Sequence, residues 1–204
     1  MSNVNEALVC EFFESLGYQV SRPCKYIVPG RQKTAFEEID LIVSHPRVAD
    51  MKLPEHVLWG ADDLANIPRA VVAVRGWHTE RFSAKILEKD PEILRFAQEP
   101  TVKAAEERLG PGPVAKILCL AQLPASQDLK QSALDLLRSR GVDGVLLFRT
   151  ILQHLIRETV RNRNYERSDV LQMIRIFKVY GLLKGEQMEL FERHGRRRAT
   201  QAVA

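Results

Sequence analysis

Residues 70–78 read AVVAVRGWH, and the way this run ends decides how the chain is to be read. Alternation puts Val71, Ala73 and Arg75 on one face of a strand and Val72 and Val74 on the other. A strand this apolar that closes on a guanidinium, just before Gly76 and Trp77, either reaches water there or meets an acid. An earlier run, FEEIDLIV (36–43), supplies acids in the same rhythm. Glu38, Asp40 and Ile42 share one face, and Ile39, Leu41 and Val43 share the other. A carboxylate between apolar neighbours is costly unless it is exposed, paired or bound to a cation. Two such strands side by side gather charge at one end of a sheet.

Working outward, the first helix is marked by Asn3 and Glu6 in a capping-box pattern, with Leu8, Val9, Phe12, Phe13 and Leu16 as its apolar face and Gly17 as its stop. YQVSRPCKYIV (18–28) reads as a strand, PGRQK as a turn and 35–44 as the strand bearing Asp40. A proline-rich connection of about two dozen residues leads to the quoted strand, long enough to serve as a functional loop or rim. Helix is expected from about Thr79 to Leu109, with Asp90 and Pro91 as N-cap and N1, and GPGP (110–113) breaks it. VAKILCLAQL (114–123) is apolar on both faces, as a central strand is. A helix from Ser126 to Gly141 and a short strand GVLLF (144–148) follow. Two helices close the chain, 151–162 and 169–180, the second between Ser168 and Gly181. Strands alternating with helices indicate an α/β fold with a mixed sheet.

Of 204 residues, 45% are hydrophobic and 27% charged, the balance of a globular protein, and no apolar run reaches transmembrane length. The amino terminus lacks the basic and apolar regions of a signal peptide. Cys10, Cys24 and Cys119 are odd in number and form no CxxC pair, so reduced thiols in a cytoplasmic protein are expected and no membrane partner is. Charge is uneven. Residues 1–126 hold 15 Lys/Arg against 17 Asp/Glu, a balance of −2, whereas 127–204 hold 15 against 9, a balance of +6. An arginine excess suits an anionic partner such as nucleic acid. No GxSxG and no phosphate-binding glycine loop is present.

The order of these elements resembles the PD-(D/E)xK nuclease superfamily, with the restriction-endonuclease-like fold. Glu6 in NEALVCEFFESLGYQV stands at the family's helical glutamate and Asp40 in EEIDLIV at its aspartate. AVVAVRGW stands at the third strand, but Ala73 replaces the glutamate and Arg75 the lysine of E-x-K. The likeness covers about residues 3–148 and rests on element order more than on long motifs. In the family the two acids hold magnesium and the lysine orients water or stabilises phosphate charge. Alanine cannot bind a cation, and a guanidinium does not give up its proton, though it can grip phosphate. The resemblance therefore implies a degenerate, inactive metal site with Glu6, Asp40 and Arg75 as site residues, and no cofactor. If a carboxylate has moved in from Glu38, Asp62, Asp63, Glu80 or Glu6, it implies instead a magnesium-dependent endonuclease with Asp40 as metal ligand. Each residue also has a plainer role: Glu6 as the N3 member of the capping box, Glu38 as a solvated strand residue, Arg75 as a salt-bridge partner of Asp40.

In RETVRNRNYERSDV (157–170), Arg157, Arg161, Arg163 and Arg167 surround a turn between the last two helices, with Asn and Tyr residues between them. These arginines are the candidate phosphate contacts, and DNA is expected before RNA. Leu171, Ile174, Phe177 and Tyr180 form a helical stripe that fits either core or a homodimer seam. The division expected is an α/β core over 1–148, a helical extension over 149–183 packed on it, and a basic, disordered tail over 184–204. The function expected is nucleic-acid binding on a nuclease-like scaffold, with a protein-interaction subunit as the remaining alternative.

Overall fold

The computed structural model describes residues 4–23 and 38–183. Five strands lie side by side in chain order: β1 (Gln19–Ser21), β2 (Leu41–Ser44), β3 (Arg69–Arg75), β4 (Ala115–Leu120) and β5 (Gly144–Leu147). The first three are antiparallel neighbours, and β3, β4 and β5 are parallel. Helices α1 (Val4–Ser15), α2 (Ala84–Lys89), α3 (Glu99–Leu109), α4 (Gln127–Ser139), α5 (Phe148–Glu158) and α6 (Asp169–Val179) flank this mixed sheet. The α/β class expected from the alternation is the class found.

Alternation along β3 builds two cores. Val72 and Val74 join Val9, Phe12 and Phe13 of α1, Ile151 and Leu155 of α5 and Ile174 of α6. Val71 and Ala73 join Leu87, Ala105 and Leu137, from α2, α3 and α4, on the opposite face. β4 splits the same way, Cys119 to the first core and Leu118 to the second, which is why both of its faces are apolar. α5 and α6 pack on α1, on the first face. No helix among the described residues is long and apolar enough to cross a membrane.

The helix expected over 79–109 is interrupted. Pro91 opens a 3-10 segment, Pro91–Ala97, and Pro100 stands in the first turn of α3, each ending the helix before it. α5 springs directly from β5 at Phe148, without the short loop expected, and ends at Glu158. Ser168 does cap α6, its Oγ accepting the Leu171 N–H at 3.1 Å. The strand expected over 18–28 is seen as Gln19–Ser21, with 22–23 leaving it; residues 24–28, which include Cys24, the turn after them, Asn3 and the basic tail lie outside the described residues.

The long proline-rich connection covers the far edge of the sheet. Val145 N–H donates to the Val57 carbonyl at 2.7 Å, and Trp59 N–H donates to the Val145 carbonyl at 2.8 Å. Leu58 thereby forms a parallel bridge with Val145, occupying an edge that would otherwise offer unpaired backbone groups. Trp59 is buried, and a Cβ on Gly144 would stand 2.3 Å from its indole. Only glycine fits there. The expected functional rim is, along 57–59, a structural strap.

Candidate functional site

Asp40 lies one residue before β2, its N–H donating to the Val72 carbonyl at 3.1 Å. One oxygen, Oδ2, accepts two hydrogen bonds of 2.7 Å each, from the Val74 N–H and from Arg75 Nη1. The same Nη1 donates to the Val74 carbonyl at 3.0 Å. Arg75 and Asp40 side chains are 16% and 26% exposed, so the pair is shielded from water without being sealed from it. Arg75 Nε and Nη2 make no hydrogen bond to any described residue. The register, Leu41 opposite Val72, sets Asp40 beside Ala73. The carboxylate is thus satisfied by a guanidinium and a backbone amide, next to a position that carries no side-chain ligand.

Glu6 is drawn to the same place from the first turn of α1. Partial burial holds its carboxyl above the usual carboxylate range, the Asp40 charge adds to this, and Arg22 and Arg75 oppose it. Its neighbour Asn5 pins the end of β3: Asn5 Nδ2 donates to the Gly76 carbonyl at 3.3 Å, and His78 Nε2 donates to Asn5 Oδ1 at 2.8 Å. A Cβ on Gly76 would fall 2.0 Å from Asn5 Nδ2, so the glycine permits this approach. The His78 ring meets Phe148 edge to face, with centroids 5.0 Å apart. Trp77 is half exposed and stacks on Phe82. Asn5 was not legible as the partner of His78, because the two are 73 positions apart and share no local pattern.

Among the substitute carboxylates, Glu6 feels the Asp40 charge. Glu38 is buried and faces Arg95 at 3.6 Å. The expectation that Ile39 shares a face with Leu41 and Val43 fails because β2 starts only at Leu41. The bend before it lets Ile39 pack into the same core as Ile42, and Glu38, expected as a solvated strand residue, is buried. Asp63 accepts from Gly60 N–H at 2.7 Å and meets His56 at 3.1 Å. The Asp62 charge is felt at His154, and Glu80 lines a separate crevice with Trp77 and Lys89. No group of three His, Cys, Asp or Glu side chains converges among the described residues. With alanine at position 73 and Asp40 engaged by Arg75, these residues do not fit magnesium, which asks for several oxygens around one point. Cys10 and Cys119 are free, buried thiols; burial pushes Cys10 up to about 11 and Cys119 higher still, so neither offers a thiolate.

The carboxyl-terminal arginines lie elsewhere. α1 and α5 run side by side in the same direction: His78 links Asn5 to Phe148 at their starts, and Ser15 Oγ meets His154 Nε2 at 2.9 Å near their ends. Arg157 therefore stands roughly 14 Å along α5 from the Phe148 end, at 1.5 Å per residue. It is held by Glu158 at 3.2 Å and by His154 Nδ1 at 3.2 Å. Arg161, Arg163 and Arg167 are exposed in the turn beyond, where the Arg161 carbonyl accepts from Arg175 Nε at 2.9 Å. The two groups of cations do not form one patch. The expected stripe on α6 also divides, Ile174 being buried while Phe177 and Tyr180 are exposed.

His154 reports on the α1–α5 seam. Ser15 Oγ donates to the Phe12 carbonyl at 2.7 Å, so it accepts from His154 Nε2–H, while Nδ1 accepts from Arg157. A second proton on Nδ1 would face a guanidinium N–H, and burial, the largest cause, lowers the affinity of the ring for it below the ordinary value of 6.5. The folded chain then binds that proton less readily than the unfolded chain, so stability is intact above about pH 6.5 and falls as the pH drops below it. His154→Asn, which cannot titrate, is expected to flatten this slope in urea melts between about pH 7 and pH 5. Glu6 and Glu14, both held above the usual carboxylate range, slope the opposite way, so the comparison is wild type minus variant. Identical slopes would place the proton elsewhere.

Comparison of the chain with protein-family models, with curated proteins and with solved structures gave no match.

Proposed function

We propose that the protein binds nucleic acid at the carboxyl edge of β3, without a metal ion and without cleaving it. We infer a degenerate relative of the PD-(D/E)xK nucleases in which a guanidinium stands in for the cation. One observation carries this: Arg75 Nη1 lies 2.7 Å from Asp40 Oδ2, in the register where D…E-x-K would hold magnesium. Support also comes from element order, a glutamate-bearing α1 against an antiparallel β1–β2–β3 that continues into a parallel β4. Arg75 keeps Nε and Nη2 for a phosphate oxygen. α1 and α5 both direct their amino-terminal ends, the positive ends of their dipoles, at this edge. A cytoplasmic location and DNA as the preferred strand belong to the same proposal. The exposed arginines at 161, 163 and 167 would add a second, nonspecific phosphate contact.

Each neutralised phosphate releases condensed counterions, so affinity falls with salt. For about four phosphate contacts, affinity for a fluorescein-labelled duplex is expected to drop roughly 100-fold between about 50 and about 200 mM salt. Anisotropy titrations check it. Affinity that stays flat across that range would overturn the proposal.

A further inference from the structure

A crevice of about 660 Å³ opens beside the Arg75 edge, lined by residues that follow β3, β4 and β5. Its origin is topological. The chain leaves β4 toward α4 on one face of the sheet and leaves β5 into α5 on the other, so the two exits part. Ligands of open α/β sheets bind at such points, outside the carboxyl ends of the strands. We propose that this crevice seats one unpaired nucleotide, its base inside and its phosphate at the rim. The inference deepens the nucleic-acid reading and rests on it, naming a strand with an unpaired end as the preferred substrate class.

The lining is that of a base site. Phe148 is buried as floor and Leu152 is half-buried, giving the apolar surface a planar ring needs. Gln122 and Gln153 each present an amide, one acceptor group and two donors, the complement of a base edge. His78 is held by Asn5 as an Nε2–H donor, which leaves Nδ1 as an acceptor. Arg149 lines the rim and has no ion-pair partner among the described residues. No acid lines the crevice, so an anionic group enters without repulsion. The first turn of α5 has no side-chain cap, so its amide hydrogens add to the positive rim. A phosphate between Arg149 and Arg75 would continue as backbone toward the Asp40 pair.

The test uses the full chain, a blunt duplex, the same duplex with a short single-stranded overhang, and each of the four deoxynucleoside 5′-monophosphates. The overhanging duplex is expected to bind about tenfold tighter than the blunt one, the effect of seating one stacked base. Leu152→Trp, which fills the crevice, should remove that preference and leave blunt-duplex affinity unchanged, and Arg149→Ala, a surface change that spares folding, should remove the same preference. Equal affinity for the two duplexes, or a preference that survives both variants, would overturn the crevice assignment while the nucleic-acid reading stands. Monophosphates that bind in a Leu152-dependent way without any strand binding would support the crevice and overturn the nucleic-acid reading. Binding of none of these probes would overturn both.

Discussion

Arg75→Glu is expected to lower stability by about 3 kcal/mol, with a fall in melting temperature of roughly 6–12 °C, and to weaken nucleic-acid binding at least about tenfold. The reversal strips Asp40 of its guanidinium and sets a second acid against it, with Glu6 already raised by burial and, next, by the Asp40 charge. A fully buried pair would cost more; exposures of 16% and 26% let water screen part of the loss. The informative partner is Asp40→Asn. Asparagine still offers an oxygen to the Val74 N–H, but it no longer neutralises Arg75. If Arg75 grips phosphate, Asp40→Asn should bind nucleic acid as well as wild type or a few-fold tighter, whereas loss of a metal ligand would weaken binding. Scanning calorimetry and anisotropy on the same preparations read both quantities.

Trp59→Ala is expected to cost about 4 kcal/mol, the range for truncating a fully buried large aromatic, and to lower the melting temperature by roughly 8–16 °C. The indole lies under Gly144 and its N–H donates to the His56 carbonyl at 2.9 Å, so the substitution removes packing from the first core and loosens the strap together. Gly144→Ala attacks the same contact from the sheet side, at about 2–3 kcal/mol for overpacking. Both variants should expose 45–61 to protease and speed exchange of the Val145 amide, which Val57 otherwise holds. Unchanged melting and exchange would mean that the connection does not brace β5.

The parts legible in the sequence are those with a local period or a fixed partner chemistry. β3 and β4 stand out because alternation and double-faced burial leave unbroken apolar runs, and the Asp40–Arg75 pair was foreseeable because each charge needed an answer in an apolar setting. The Asn5–Gly76–His78 clasp was not, since its members are brought together only by the packing of α1 on the sheet. The strap escaped notice for a related reason. A single bridge at Leu58 carries no alternation, and the match of Trp59 to Gly144 spans 85 positions. Alternation extended past the true start of β2 misplaces Ile39, and the long second helix is broken because Pro91 and Pro100 each begin a new segment. The arginines of 157–167 were visible as a cluster, but their distance from Arg75 depends on the parallel course of α1 and α5.

The most direct test is a titration of labelled single-stranded, duplex and branched DNA in magnesium and in EDTA, with strand integrity read on denaturing gels. A guanidinium in the cation's place predicts affinities equal within about twofold in the two buffers and intact strands throughout. Magnesium-dependent cleavage that disappears in Asp40→Ala would contradict it.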